Sequence, residues 1–120
     1  MNKFEGVISD RGSKYAVSGG MAANREDVND FLKELMRGKK YAKATYNTWA
    51  VGFSDGGALK NDDGEGGAGQ IILQMLEREG LMDHVIVVTR WYGGKHLGGD
   101  RFRHVQDCVR HYFDHAPGLT

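Results

Sequence analysis

Residues 84–91 of this 120-residue chain, His84-Val85-Ile86-Val87-Val88-Thr89-Arg90-Trp91, give the strongest indication of its fold. This stretch is β-branched and apolar, which is typical of a strand at the centre of a sheet. A central strand needs strands on both sides, and the sheet needs helices to cover it. We therefore expect the flanking sequence to supply further strands and several helices.

The sequence near the start predicts a hairpin and a helix. Residues 4–8 and 14–18 have the composition of two short strands, and the pentad between them, Ser-Asp-Arg-Gly-Ser at 9–13, is rich in turn residues. Asn24 is a suitable N-cap, and apolar residues then recur at helical spacing until Gly38. This pattern predicts an amphipathic helix between the two residues.

Further elements lie on either side of the central strand. Residues 44–53 are rich in Thr, Tyr, Trp and Val and predict a strand, whereas the polar, Gly-containing residues 54–67 predict an exposed loop. Residues 70–79 carry apolar side chains at helical spacing. After the Gly-rich residues 93–99, Asp100 is a suitable N-cap for a last helix.

The predicted order of elements is therefore ββαβαβα. A chain of this length suits one compact domain, which we expect to span residues 1–120. The expected fold is of the α/β (α+β) class. It is a two-layer sandwich, with a mixed four-stranded sheet and helices on one face.

Composition restricts the classes of function. The 16 basic and 16 acidic residues cancel, so the overall charge predicts neither a nucleic acid nor another polyion as partner. One cysteine excludes an internal disulfide, and the first residues contain no apolar stretch that could serve as a signal peptide. No apolar run approaches the roughly 20 residues that cross a bilayer. We expect a cytoplasmic protein that is not bound to a membrane.

An acidic loop at 61–69 is the first candidate site. Asp62, Asp63 and Glu65 lie just ahead of a predicted helix, where carboxylates are stabilised by the positive end of the helix dipole. The alternative is a site for a divalent cation, because such ions prefer several oxygen ligands within a short span. The spacing does not match the EF-hand pattern, and we predict no metal or cofactor.

The second candidate site is the segment from Thr89 to Arg103, where a strand end passes through a Gly-rich turn into a helix. Its backbone amides could hold an anion, its basic residues add charge, and its aromatic rings offer stacking faces. The candidate residues are Arg90, Trp91, Tyr92, Gly93, Gly94, Lys95, Arg101 and Arg103. Alternatively, the glycines allow a tight crossing and the arginines pair with the acidic loop. The segment matches neither G-x-G-x-x-G nor the Walker A motif.

The last helix carries a stripe of potential zinc ligands: His104, Cys108, His111 and His115. Four ligands spread over more than two turns cannot all reach one tetrahedral ion without a bend. We therefore expect Cys108 at the edge of the core and the histidines near the helix C-terminus. The cysteine lies within a helix and no serine lies in a G-x-S-x-G elbow, so we predict no catalytic residue and expect a binding protein more than an enzyme.

Four motifs resemble the Impact family of Impact/YigZ-type proteins. They are Asp10-Arg11-Gly12-Ser13-Lys14, Ala44-Thr45-Tyr46-Asn47-Thr48-Trp49-Ala50, Asp62-Asp63-Gly64-Glu65 with Ala68-Gly69, and Val87-Val88-Thr89-Arg90-Trp91-Tyr92-Gly93-Gly94 with Leu97-Gly98 and Asp100-Arg101-Phe102. The resemblance implies a fold like the second domain of small-subunit ribosomal protein S-five. It also implies that the acidic loop and the Arg-aromatic-Gly segment share one surface. For eukaryotic members it implies translation control in the response to amino-acid starvation, through competition for the activator of an initiation-factor kinase.

The sequence departs from the family pattern in three ways. Tyr46 stands where the family usually has His, and Lys95 with His96 replaces a typically apolar pair, which makes the turn more basic. The 120 residues contain neither the RWD domain of eukaryotic Impact nor the ferredoxin-like domain of many bacterial members. Kinase regulation that depends partly on the RWD domain therefore does not follow from the resemblance.

The leading hypothesis is a binding protein for RNA, the ribosome or a translation factor, with no sequence-specific reading of DNA. It would use the basic, aromatic, Gly-rich turn, together with Tyr46 and the acidic loop. One rival is a small enzyme or metal-dependent site on Asp62, Asp63 and Glu65. Another is a protein–protein adaptor anchored by Tyr46 and the two tryptophans, Trp49 and Trp91.

Overall fold

The computed structural model describes residues 1–119, and within them nine elements follow one another along the chain. They are β1 (Asn2–Asp10), β2 (Ser13–Met21), α1 (Arg25–Arg37), α2 (Lys39–Ala42), β3 (Tyr46–Gly52), β4 (Ala58–Asn61), α3 (Ala68–Glu79), β5 (His84–Trp91) and α4 (Asp100–His115). The strands of this range form one antiparallel sheet of five in the order β1-β2-β5-β3-β4.

Strand β5 is the middle strand, as its composition predicts. It pairs with β2 on one side, where Val17 lies opposite Val88, and with β3 on the other, where Trp49 lies opposite Val87. Every residue from His84 to Arg90 is buried. A strand that is buried on both faces has a largely apolar sequence, which explains why the sequence predicts β5 correctly.

Helices cover both faces of the sheet, so the prediction of a two-layer sandwich with helices on one face is wrong. Val85 and Val87 pack in one cluster with Leu35 of α1, whereas Ile86 belongs to a second cluster with Ile72 of α3. Alternate residues of a strand point to opposite faces, so a central strand that is apolar at nearly every position requires cover on each side. The fold has three layers.

The prediction of a mixed four-stranded sheet is also wrong, because residues 54–67, which the sequence predicts as a loop, contain a fifth strand. Strand β4 lies inside residues 54–67 and pairs with β3, with Leu59 opposite Val51. It has four residues, of which three are exposed, and a short edge strand of this kind has little apolar pattern. Strand β5 runs antiparallel to both neighbours, so no parallel pair arises among the described strands.

The main helices follow their predicted signals closely. The Asn24 side chain accepts a hydrogen bond from the Asp27 amide at 2.8 Å and caps α1. Helix α4 differs slightly, since Gly99 occupies the N-cap position and the Asp100 carboxylate instead accepts a 2.6 Å hydrogen bond from Arg11. The short helix α2, which buries Tyr41, was not predicted. Within residues 1–119 no helix is long and apolar enough to cross a membrane.

Candidate functional site

A buried ion pair joins the two segments that the sequence marks as candidate sites. The Arg90 Nη1 donates to both carboxylate oxygens of Glu65, at 3.0 and 3.2 Å, and the two side chains are 5% and 3% exposed. The Arg90 Nη2 also donates to the Ser13 hydroxyl at 3.4 Å. The predicted alternative that the arginines pair with the acidic loop is therefore confirmed for Arg90 and Glu65.

Three tyrosine rings surround the Arg90 guanidinium. Tyr15 on β2 and Tyr46 on β3 both lie opposite Arg90 in the sheet, and their ring centroids are 5.7 and 5.8 Å from its central carbon. Tyr92 provides a third ring at 5.7 Å. Aromatic faces attract a cation, so the rings help to stabilise a charge that is removed from water. Burial raises the pKa of Tyr15 to about 12, which keeps its hydroxyl neutral.

A half-open cleft of about 300 Å³ lies against this cluster. Its lining residues are Thr45, Tyr46, Arg90, Tyr92, His96, Leu97, Gly98 and Arg101. Among these lining residues of the described chain there are two guanidinium groups and one imidazole, and none is acidic. The Arg101 side chain is 37% exposed, donates from Nε to the Gly98 carbonyl at 2.9 Å and lies 3.8 Å from Glu65. The cleft therefore presents a cation and aromatic rings to solvent.

The Gly-rich turn brings β5 close to the hairpin between β1 and β2. A Cβ atom on Gly93 would lie 2.0 Å from the carbonyl carbon of Gly12, so no side chain fits there. The Gly93 amide donates to the Ser13 hydroxyl at 3.1 Å, and Gly94 has a positive φ of 95°. The alternative prediction of a tight crossing is confirmed at Gly93, and its amide is bound by the protein itself.

The acidic loop stabilises the start of helix α3, and its carboxylates bind separate partners. Asp62 accepts hydrogen bonds from the amides of Gly67 and Gly69, at 3.0 and 2.8 Å, and these donors hold its pKa below the usual range. Asp63 accepts from the Asn47 amide at 2.8 Å. No group of three or more His, Cys, Asp or Glu in residues 1–119 could hold a metal ion. The carboxylates of Asp62 and Asp63 thus bind backbone amides, whereas that of Glu65 binds Arg90.

The two tryptophans lie on the other face of the sheet. Trp91 donates from its indole N–H to the Lys40 carbonyl at 3.0 Å, and its ring packs edge-on against Tyr41 at 5.5 Å. Successive strand residues point to opposite faces, so Trp91 cannot share the cleft with Arg90. The prediction of one surface containing both residues is wrong. An adaptor surface of Tyr46, Trp49 and Trp91 is also wrong, because both tryptophans pack in the cluster with α1, whereas Tyr46 lines the cleft on the opposite face.

The remaining predicted basic residues lie outside the cleft. Lys95 is exposed in the Gly-rich turn, and Arg103 is exposed on α4, where its guanidinium pairs with Asp100 at 3.1 Å. Neither side chain lines the cleft. Of the predicted cations, only Arg90 and Arg101 contribute to its lining.

A polar network that was not predicted ties the hairpin turn to helix α4. Arg11 bonds to both Asp10 and Asp100, and the His104 Nε2 lies 2.7 Å from the Asp10 carboxylate. Hydrogen bonds from Arg11 and His104 lower the pKa of Asp10 from 3.8 to about 2. The motif Asp10 to Lys14 was the available signal, although its partners are about 90 residues away in sequence.

The stripe of potential zinc ligands on α4 is divided between the core and the surface. His104 contacts Asp10 as described above, and Cys108 is fully buried, where burial raises the pKa of its thiol to about 12. The rings of His111 and His115 stack on each other with centroids 4.0 Å apart. The expectation of histidines toward the helix end is confirmed for His111 and His115, whereas Cys108 lies inside the core cluster and not at its edge.

Comparison with known proteins identifies relatives over most of the chain. The family model of the Impact N-terminal domain matches residues 11–113. Protein IMPACT homolog of Caenorhabditis elegans is 34% identical over 111 residues, covering 87% of this chain and 43% of that protein. Protein IMPACT of Danio rerio is 36% identical over 108 residues, covering 86% and 34%. The chain thus spans less than half the length of these relatives.

Two solved structures have folds similar to that of this chain. One is described as the structure of the two-domain translational regulator Yih1, with 29% identity, a TM-score of 0.53 and coverage of 92% of this chain and 43% of that chain. The other is a crystal structure of an hypothetical protein, with 22% identity, a TM-score of 0.70 and coverage of 92% and 52%, and it supports the fold alone. Given the family match across residues 11–113, this chain belongs to the Impact N-terminal domain family.

Proposed function

We propose that this chain is a binding domain that acts in the regulation of translation. Membership of the Impact family supports the proposal, as does the likeness to a solved structure described as a translational regulator. The relatives are longer, so the proposal concerns the part of such proteins that this chain represents. It includes a cytoplasmic location, one domain over residues 1–120, and binding without a cofactor or catalysis.

The proposed ligand is single-stranded RNA, either free or within the ribosome, held in the cleft. The observation that carries this proposal is the composition of the cleft lining, which combines two tyrosine rings, two guanidinium groups and an imidazole with no acidic side chain among the described lining residues. Single-stranded RNA offers bases that stack on aromatic rings and phosphates that attract cations. The cleft matches both properties.

The cleft residues take different roles in this proposal. Tyr46 and Tyr92 supply stacking faces, and the half-exposed Arg101 contacts a phosphate. Arg90 is buried against Glu65 and positions the tyrosine rings without reaching far into solvent. Gly93 and Gly94 shape the turn beside the cleft, while the exposed Lys95 adds positive charge at its edge. Asp62 and Asp63 support the start of α3 and Arg103 pairs with Asp100, so we assign them no contact with RNA.

Fluorescence anisotropy with a labelled single-stranded RNA of about ten nucleotides tests the proposal, since small single-strand binding folds cover about 4 to 16 nucleotides. We expect Arg101→Ala to weaken binding about tenfold, which corresponds to about 1.4 kcal/mol. Arg110→Ala is the matched control, because it removes an exposed arginine from the same helix. Arg90→Ala is less suitable, because it would leave Glu65 buried and unpaired.

Affinity should also fall with salt, by about 0.7 log units per log unit of salt for each phosphate contact. Equal binding by Arg101→Ala and Arg110→Ala would overturn the assignment of the cleft. If the wild-type chain bound no RNA at low salt, the RNA proposal would be wrong, and a translation-associated protein would become the candidate partner.

A further inference from the structure

A concentration of positive charge lies outside the cleft, at the junction of α1 and α2. Residues 37–43, Arg-Gly-Lys-Lys-Tyr-Ala-Lys, contain four of the 16 basic residues of the chain and none of the 16 acidic ones. The four basic residues are all exposed and form what we call the basic corner: Arg37, Lys39, Lys40 and Lys43. Because the chain as a whole is neutral, the basic corner is a local feature that the total charge conceals.

The charge of the basic corner is only partly balanced by the protein. Arg37 pairs with Glu34 at 3.1 Å and Lys40 with Glu5 at 3.4 Å. Both are surface pairs, and such pairs contribute about 0 to 1 kcal/mol. Lys39 and Lys43 are in none of the ion pairs that the described residues form. The basic corner therefore has a surplus of positive charge available to an anionic partner.

The basic corner and the cleft share one end of the sheet. Lys43 is two residues before Thr45, which lines the cleft, and two residues of chain span at most about 7 Å. The Lys40 ammonium lies 5.1 Å from the ring centroid of Trp91. The residue after Trp91 is Tyr92, whose amide donates to the Thr45 hydroxyl at 2.9 Å. A ligand in the cleft is thus next to the basic corner.

We infer that the basic corner is a second contact surface for RNA phosphates. A single strand whose bases stack in the cleft continues past Thr45 and places its phosphates on Lys39 and Lys43. This inference rests on the proposed function of the cleft. It adds that the RNA passes from one face of the sheet to the other, so that a longer RNA makes contacts that a shorter one cannot.

Binding of two RNA lengths tests the inference. The basic-corner variant combines Lys39→Ala with Lys43→Ala, and the matched control combines Lys60→Ala with Arg78→Ala, which removes two exposed basic residues from β4 and α3. We expect an RNA of about four nucleotides to bind both variants like the wild type. An RNA of about twelve nucleotides should bind the basic-corner variant more weakly, with a salt slope shallower by about 1.4 because two contacts are lost.

Tryptophan emission gives a second readout, because neither tryptophan is among the cleft-lining residues. The longer RNA should change the emission of the wild-type chain, whereas the shorter RNA should not. The change should disappear in Trp91→Phe, which keeps Trp49 and an aromatic ring beside Tyr41.

The outcomes separate this inference from the proposed function. If the basic-corner variant binds the longer RNA with wild-type affinity and salt slope while Arg101→Ala weakens it, the inference is overturned and the cleft proposal stands. If the wild-type chain binds neither RNA at low salt, the proposed function fails, and the inference fails with it.

Discussion

Arg90 and Glu65 hold the site together through an ion pair that is almost completely removed from solvent. A buried ion pair contributes little net stability, because the attraction is largely offset by the cost of removing both charges from solvent. Its effect here is positional. It connects the end of β5 to the loop before α3, and it places the guanidinium among Tyr15, Tyr46 and Tyr92.

Replacing one residue of the Arg90–Glu65 pair should therefore destabilise the fold. We expect Glu65→Gln to lower the free energy of unfolding by about 3 to 5 kcal/mol, because it leaves the Arg90 charge buried without its counter-ion. Urea unfolding followed by circular dichroism measures the change. Glu34→Gln is the control, since it makes the same chemical change in the exposed pair with Arg37, where we expect about 0 to 1 kcal/mol. A similar loss in both variants would contradict the buried pair.

At the scale of elements, the site depends on a close crossing between the Gly-rich turn and the β1–β2 hairpin. The backbone of Gly93 contacts that of Gly12, and the Ser13 hydroxyl accepts hydrogen bonds from both Gly93 and Arg90. On the far side of the turn, Arg11 bonds to Asp100 at the start of α4. The hairpin thus fixes the turn and the final helix against each other, and the cleft forms between them and β3.

A side chain at this crossing should separate the two backbones. We expect Gly93→Ala to destabilise the protein by about 1 to 3 kcal/mol or more, because the atoms that the new Cβ would meet belong to backbone and cannot rotate away. Gly99→Ala is the control, since a Cβ there meets no atom within 4 Å and φ is −66°. Its effect should stay within about 1 kcal/mol. Thermal unfolding of the two variants compares them, and equal midpoints would refute the close crossing.

For the whole molecule, the sheet separates two apolar clusters. One contains Val85 and Val87 with α1, and the other contains Ile86 and Val88 with α3 and α4. Strand β5 belongs to both, so it is the element through which the two layers of helices are connected. The same division places the cleft on one face and Trp91 on the other, with the basic corner at the end where the faces meet.

Truncations in the two clusters should act independently. Leu35 of α1 and Ile72 of α3 are both fully buried, and they belong to different clusters. We expect Leu35→Ala and Ile72→Ala each to cost about 2 to 5 kcal/mol. The loss of unfolding free energy in the double variant should equal the sum of the two single losses to within about 0.5 kcal/mol, because the two residues do not pack in the same cluster. Urea unfolding of the three variants measures this, and a coupling well above that value would mean that the sheet does not separate the clusters.

Features that depend on residues close together in the chain could be predicted from the amino-acid sequence. The apolar run Val85-Ile86-Val87-Val88 predicts the central strand, because a strand buried on both faces is apolar at most positions. Asn24 predicts the start of α1, since its side chain can reach the amide of Asp27. The four motifs indicated the family, which the match over residues 11–113 confirms.

Contacts between residues that are distant in sequence became known from the three-dimensional fold. Tyr15, Tyr46 and Arg90 come together because of the pairing register of three strands that are far apart in sequence, and no local pattern specifies that register. Strand alternation separates Trp91 from Arg90, but it does not specify which of the two faces carries the cleft. The position of the buried Arg90 guanidinium identifies that face. Edge strand β4 was not recognisable either, because its stability comes from pairing with β3 and its own residues are mostly exposed.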